Sequence, residues 1–548
     1  MNPFNFGERR KGLFFATVLF LVFCLTVLNS VPGIDCMTNS ICCGQEGGVL
    51  AQSVDAGGSR GTDLLPLEVA SNRRYLQRSD GRPFFWMADT AWELFHRLSQ
   101  DEAVRYLDQR KSQGFNVIQA VLLAEMDGIR VPNRQGYVPF KNLTPLVPNV
   151  VPGEHNDYWD DVDAILDAAT QRGFYVLLLP TWGEWVTPRF AEPAIFSKPK
   201  VAYEYGRFLG DRMKDRTNLI WALGGDRRPH EKPWARDVWN AMAEGITDGV
   251  AGVSQFDGAA DWNQTLMSYH CMASSSGLWL DTAWLDFHMW GTYHSTKDWA
   301  RSFGMARKDL AADPNRPTLN SEPCYEEIPR DYRGDNGYFG AAEVRRAAWW
   351  SVLSGTFGHT YGAHPIWQMW GTPEMGKPEV PLPKLSPTRM DWANALSLPG
   401  AGQMQHLRGC MESLGDFASL RPYDELLVNR DEGTGPSSEG YVACAVGADF
   451  AIAYVPGLPV GSGVEESSKR SAIEFQLGRF EGATAQWYWF NPRDGSKTDP
   501  QRINNEGVLK AFLPTTDSGD SHRSREVANR EEDAVLLQDW VFCLRADK

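Results

Sequence analysis

The sequence predicts an α/β fold: a (β/α)8 TIM barrel followed by a smaller all-β sandwich domain. Three observations predict it. Short apolar runs that end in polar or aromatic residues alternate with helical patterns over roughly 300 residues. After about residue 405 this alternation gives way to short strand-like runs alone. The length, 548 residues, is too great for one ordinary domain.

The strand candidates, in order, are Phe84–Trp92, Phe115–Leu122, Tyr175–Trp182, Leu219–Asp226, Leu266–His270, Trp284–Trp290, Arg316–Pro323 and Gly355–Tyr361. Amphipathic stretches such as Ser99–Gln113 and Tyr158–Arg172 lie between them, the second stopped by Gly173. A doubly wound open sheet is the structural alternative. Beyond the barrel, Tyr441–Val446, Phe450–Val455, Ala472–Leu477, Ala483–Phe490 and Ala534–Leu544 read as strands, with a turn at Asn491-Pro492-Arg493-Asp494-Gly495. The predicted organisation is 1–31 signal peptide or signal anchor, 32–63 linker, 64–405 barrel and 406–548 β-sandwich.

The N-terminal prediction rests on Arg9, Arg10 and Lys11 followed by an apolar run from Leu13 to Leu28. It implies export to the periplasm, cell surface or exterior, with a membrane tether as the second reading. The nine cysteines, among them Cys36, Cys42 and Cys43, form neither a dense disulfide framework nor a CxxC zinc pattern. A net charge of −15 disfavours a nucleic-acid partner, since phosphate backbones are repelled.

Strand ends at the carboxyl side of a barrel face the active site. Here they carry Asp89 and Trp92, Glu125, Trp182 and Glu184, Asp226 and Arg227, Asp286, His288 and Trp290, Glu322, then His359, Tyr361 and Trp367. Strands four and seven stand across the mouth, so Asp226 and Glu322 can face each other over a bound sugar. Glycoside hydrolysis needs such a pair, one acid to protonate the leaving oxygen and one carboxylate to attack or stabilise a cationic sugar. A structural salt bridge at the rim is the plain alternative, and Asp89, Glu125 and Glu184 are rivals in equivalent places. Arg227 and Arg228 suit an acidic sugar or an ionised carboxylate. Trp92, Trp182, Trp185, Trp290, Trp367 and Trp370 offer one or two stacking platforms among packing residues. His270, His288, His294, His359 and His364 raise metal catalysis, but there is no HxH pair after strand one and no HExxH helix, so neither a metal nor another cofactor is expected.

In these motifs the sequence resembles the apiosidase-like glycoside hydrolases. The resemblance runs through Phe84–Trp92, Gly114–Leu122, Leu179–Gly183, Asn218–Arg227, Ser274–Ser276, Trp284–Phe287, Ser321–Glu326 and Ile366–Met369, in family order over about residues 70 to 375. It implies a retaining hydrolase with Asp226 as general acid/base and Glu322 as nucleophile. It also implies cleavage of apiose–galacturonic acid linkages in the pectic polysaccharide rhamnogalacturonan II. The segment Asn320-Ser321-Glu322 stands where the family commonly has Asp-Gly-Glu. Around Trp487–Gly495 the C-terminal region resembles the collagen-binding-type β domain that often accompanies these barrels. Asp89, Trp92, Glu125, Trp182, Arg227, His288, Tyr325 and Trp367 are the expected substrate contacts, and the partner is an oligo- or polysaccharide. The competing class is a non-catalytic carbohydrate-binding or adhesion protein on the same scaffold.

Overall fold

Each predicted barrel strand overlaps a parallel strand in the computed structural model, which describes residues 64–189, 193–295, 301–371, 388–429, 440–457, 471–514 and 538–547. They are β1 (Trp86–Thr90), β2 (Val117–Val121), β3 (Tyr175–Leu179), β4 (Leu219–Gly224), β5 (Met267–His270), β6 (His288–Gly291), β7 (Thr318–Glu322) and β8 (Gly358–Tyr361). Parallel ladders run from β1 through β5, between β6 and β7, and from β8 back to β1 with Gly358 opposite Trp86. The Asp286 N–H donates to the Met267 carbonyl (2.9 Å) and the Phe357 N–H to the Thr318 carbonyl (3.3 Å), joining β5 to β6 and β7 to β8. The ring is closed, which excludes the doubly wound sheet. Strands β1, β2 and β3 are buried along their whole length. That is why they read as continuous apolar runs rather than alternating ones.

Helices pack outside the ring. Gln100–Ser112 starts at a capping box, in which the Ser99 hydroxyl accepts from the Glu102 N–H and the Glu102 carboxylate accepts from the Ser99 N–H. Tyr158–Gln171 is capped by Asp157, whose carboxylate accepts from the Trp159 and Asp160 N–H groups. After β5 the crossover holds only a short turn of helix at Ser275–Gly277. The helix Pro399–Ser413 has no counterpart in the sequence reading and runs through residues 405 and 406. Gly400, Gly402 and Gly409 lower its intrinsic propensity; it forms because Ala401, Met404, Leu407 and Met411 bury one face.

The C-terminal region is a two-layer antiparallel β domain. Six strands pair in the order Arg421–Pro422, Ala443–Val446, Phe450–Val455, Trp540–Ala546, Thr484–Phe490 and Gln501–Asn504. Ala472–Gln476 and Val508–Phe512 form the second layer, and Phe475 meets Phe542 across the gap at 5.0 Å. Gln501–Asn504 and Val508–Phe512 escape the sequence reading because they are edge strands with mostly exposed residues and no apolar run.

The β domain docks on the barrel helix Ala341–Leu353. Trp349 stacks on Tyr454 (5.9 Å, 3°), and Arg345 forms a two-pronged ion pair with Asp539 (2.7 and 2.8 Å). Tyr454 also donates its hydroxyl to Asp539 at 2.8 Å. Tyr441, Phe450, Ile452, Tyr454 and Phe490 thereby join the barrel core. The predicted signal segment and linker, with Cys24, Cys36, Cys42 and Cys43, lie outside the described residues. Among the described residues no helix is long and apolar enough to cross a membrane, and the described cysteines are free and buried.

Candidate active site

The chain turns sharply where β4 ends. Gly224 and Gly225 have φ of 100° and 81°, and a Cβ on Gly224 would stand 2.0 Å from the His270 carbonyl oxygen. Asp226 follows with φ 61°, a left-handed conformation that is strained for aspartate. This backbone brings its carboxyl close to His270 and Glu322. Glu322 is the last residue of β7. His270, the last residue of β5, stands between them. Its Nε2 lies 3.1 Å from a Glu322 carboxylate oxygen and its Nδ1 3.9 Å from one of Asp226. One donor atom from each of the three side chains falls within 4.8 Å of the other two. A divalent cation can bridge such a set, and so can a sugar's reacting centre.

Burial dominates the electrostatics. It pushes Glu322 up to about 8, with the Tyr325 hydroxyl opposing the rise. It pushes Asp226 up to about 7, reinforced by the charge of Glu322 and opposed by His270, Arg227 and Arg189. The Asp226 side chain is nevertheless 24% exposed, so it lies on the floor of a recess, enclosed by protein yet reachable from solvent. His270 is held below the ordinary histidine range by burial, and His294 is lowered to about 3 by burial and by His364. The Asp226 Oδ1, Glu322 Oε2, both His270 ring nitrogens, the Trp182 indole N–H and the Tyr325 hydroxyl are buried without a well-aligned hydrogen bond. Buried polar atoms are normally paired. Their convergence here marks a place that a polar ligand would satisfy.

Several predicted contacts stand around this group. Trp92 and Trp182 wall one side, their rings 5.3 Å apart and 5.1 and 5.9 Å from His270. Tyr325 packs on His294 at 4.7 Å, and His294 Nε2 lies 3.8 Å from Glu322. Glu125 is partly exposed; burial and then the charge of Asp226 push it up to about 8. Trp367 donates its indole N–H to His364 (3.1 Å), which neighbours His294.

Three predicted contacts are placed otherwise. Asp89 turns outward, where its Oδ2 takes 2.6 Å hydrogen bonds from Arg110 and Tyr106 of the helix Gln100–Ser112. It is Thr90, bonded to Gln119, that lies on the inner side. Arg227 is buried and paired with Glu184, so it braces the loops after β3 and β4 instead of facing an acidic sugar. His288 opens β6 and does not close it. It therefore lies at the end of the barrel opposite the mouth, bonded to Ser275 and Asp313 at 3.1 Å. The predicted strand Trp284–Trp290 begins four residues too early, and that shift carried His288 to the wrong end. His270 and His294 are the histidines that reach the carboxyls. The signal for His270 was its position at the end of the fifth strand.

A closed barrel with facing carboxyls at the ends of β4 and β7 is the arrangement of a glycoside hydrolase. Solved structures are similar to this chain in fold. One titled glycoside hydrolase is 26% identical, with a TM-score of 0.71 over 88% of this chain and 97% of that one. A glycoside hydrolase family 5 protein from Bacteroides vulgatus is 24% identical, with a TM-score of 0.70 over 88% of this chain and 93% of that one. Residues 70–417 match the family described as apiosidase-like, catalytic domain, and the chain belongs to that family. No curated protein matches it.

Proposed function

We propose that this chain is a retaining hydrolase that cleaves apiose–galacturonic acid linkages of the rhamnogalacturonan II type in pectic side chains. The observation that carries the mechanism is the approach of Asp226 and Glu322, with carboxylate oxygens within 4.8 Å. Retaining enzymes hold their carboxyl groups ~5–5.5 Å apart, whereas inverting enzymes need ~6.5–9.5 Å to admit a water.

Like charges this close do not form together at moderate pH, so the pair holds one proton. The first step requires the charge on Glu322 and the proton on Asp226; the Tyr325 hydroxyl favours that charge, and the charge in turn raises Asp226. Glu322 attacks the anomeric carbon as the glycosidic C–O bond breaks, and the leaving oxygen takes the proton from Asp226. With Glu322 esterified, Asp226 is left ionised. It takes a proton from water, whose oxygen attacks the anomeric carbon and releases Glu322. Trp182 and Tyr325 supply donors for sugar hydroxyls. The basic and apolar N-terminus supports export, which gives such an enzyme access to polysaccharide.

The test is a panel of pectic fragments with products followed by NMR. Release of apiose with its anomeric configuration retained is the expected result; inverted product would sink the mechanism, and release of a different sugar would sink the substrate. Activity should also survive exhaustive chelation, and loss of turnover that returns with added metal would assign the Asp226–His270–Glu322 group to a cation.

A further inference from the structure

The tryptophans beside the carboxyl pair present almost no open ring face, because Trp92 and Trp182 are 3% and 2% exposed. The loop after β7 differs. In it Glu327, Asp331 and Tyr332 have φ of 66°, 54° and 59°. Consecutive left-handed residues other than glycine are costly, about 1–3 kcal/mol each, and persist where surroundings over-determine them. The surroundings do so here. Pro329 bridges Tyr338, the Arg330 side chain is held by Glu343 at 2.6 Å, and the Asp331 N–H donates to the His294 carbonyl at 2.8 Å. The loop's product is Tyr332, a residue 49% exposed whose ring stands edge-on to His294, centroids 5.4 Å apart at 80°. His294 in turn touches Glu322. Tyr332 is thus one imidazole away from the Glu322 carboxylate. A scattered surface aromatic needs no explanation. One fixed by strained backbone over a recess of unpaired polar groups does.

We infer that Tyr332 is the sugar-stacking platform of this cleft, carrying the C–H face of a pyranose or furanose ring of an oligosaccharide bound across Asp226 and Glu322. The inference rests on the glycosidase reading above. Aromatic rings offer a flat apolar surface with a polar edge, and a sugar ring matches it with an apolar face and a hydroxyl rim. Tyr332 determines how a longer substrate is held, while the carboxyl pair performs the bond cleavage.

The test compares Tyr332→Ala, Tyr332→Phe and the parent enzyme on pectic oligosaccharides, with binding measured by calorimetry in the Glu322→Gln background. Tyr332→Ala should raise KM and weaken binding by about 10-fold, as expected for one aromatic contact, with a smaller effect on kcat. Tyr332→Phe, which keeps the ring face, should recover most of that loss. Hydrolysis by the parent enzyme with KM and binding indifferent to Tyr332→Ala would overturn the inference and leave the glycosidase reading standing. So would a Tyr332→Phe variant as impaired as Tyr332→Ala, because the hydroxyl and not the face would then be at work. Binding that needs Tyr332 without any turnover by the parent enzyme would support the platform and overturn the glycosidase reading. A parent enzyme that neither binds nor cleaves these oligosaccharides overturns both.

Discussion

Two buried acids in this protein have opposite surroundings. Asp539, at the seam between barrel and β domain, is met by the Arg345 guanidinium, by Tyr454 and by Arg493 at 3.4 Å. Burial pushes its carboxyl up, but Arg345 and Arg493 bring it below the ordinary carboxylate range. Glu322, at the barrel mouth, has the His270 and His294 imidazoles beside it and no guanidinium within ion-pair distance among the described residues, and burial pushes it up to about 8. The seam has solved its desolvation problem within the protein. The mouth has left it open, at a cost in stability, and a substrate's hydroxyls and developing positive charge are suited to resolve it.

That contrast can be broken from either side. The largest effect is expected for Glu322→Ala, which removes the covalent step: turnover should fall by about 10³-fold or more and be partly restored by azide. Near-normal steady-state rates in this variant would end the assignment. Asp226→Asn should lower kcat by ~10²–10⁴-fold. The loss should shrink on substrates whose leaving groups depart without a proton, and an equal loss on both kinds would argue for another acid.

At the seam, Arg345→Leu leaves Asp539 without its main partner and should cost about 3–5 kcal/mol in denaturant unfolding. An unchanged midpoint would mean that Arg493 and Tyr454 suffice. The smallest effect is the pH dependence of stability. The raised carboxyls destabilise the fold only where they are charged, so their penalty is absent at acid pH and grows as pH rises from about 4 through about 7 and 8. An Asp226→Asn, Glu322→Gln double variant should therefore be more stable than the parent by about 1–3 kcal/mol at pH 8.5, with the gap closing near pH 4. Asp539 works in the other sense: its contribution is present above the ordinary carboxylate range and is lost as pH falls through its lowered value. Melting curves at the two pH values separate the effects.

Much of this was legible in the chain. The barrel strands are short, continuously apolar and closed by polar residues, because a parallel strand buried on both faces admits little else. Asp226 was legible because two glycines precede it and allow the turn that aims it. Other residues were misread for a common reason. In a strand, one step along the sequence exchanges inside for outside, and a few steps exchange one end for the other. Asp89 and Thr90 differ by one position, yet one serves a helix and the other lines the barrel. His288 and His294 differ by six, yet one lies at each end.

The sequence by itself determined the barrel, the antiparallel domain after it and the two carboxyls at the ends of strands four and seven. Periodic burial and turn chemistry are local properties, written residue by residue. Only the tertiary structure decided that His270 stands between those carboxyls, that Arg227 is occupied by Glu184, and that Tyr332 is exposed beside His294. Those facts depend on distances between residues tens to hundreds of positions apart, which closure of the barrel sets and no local pattern records.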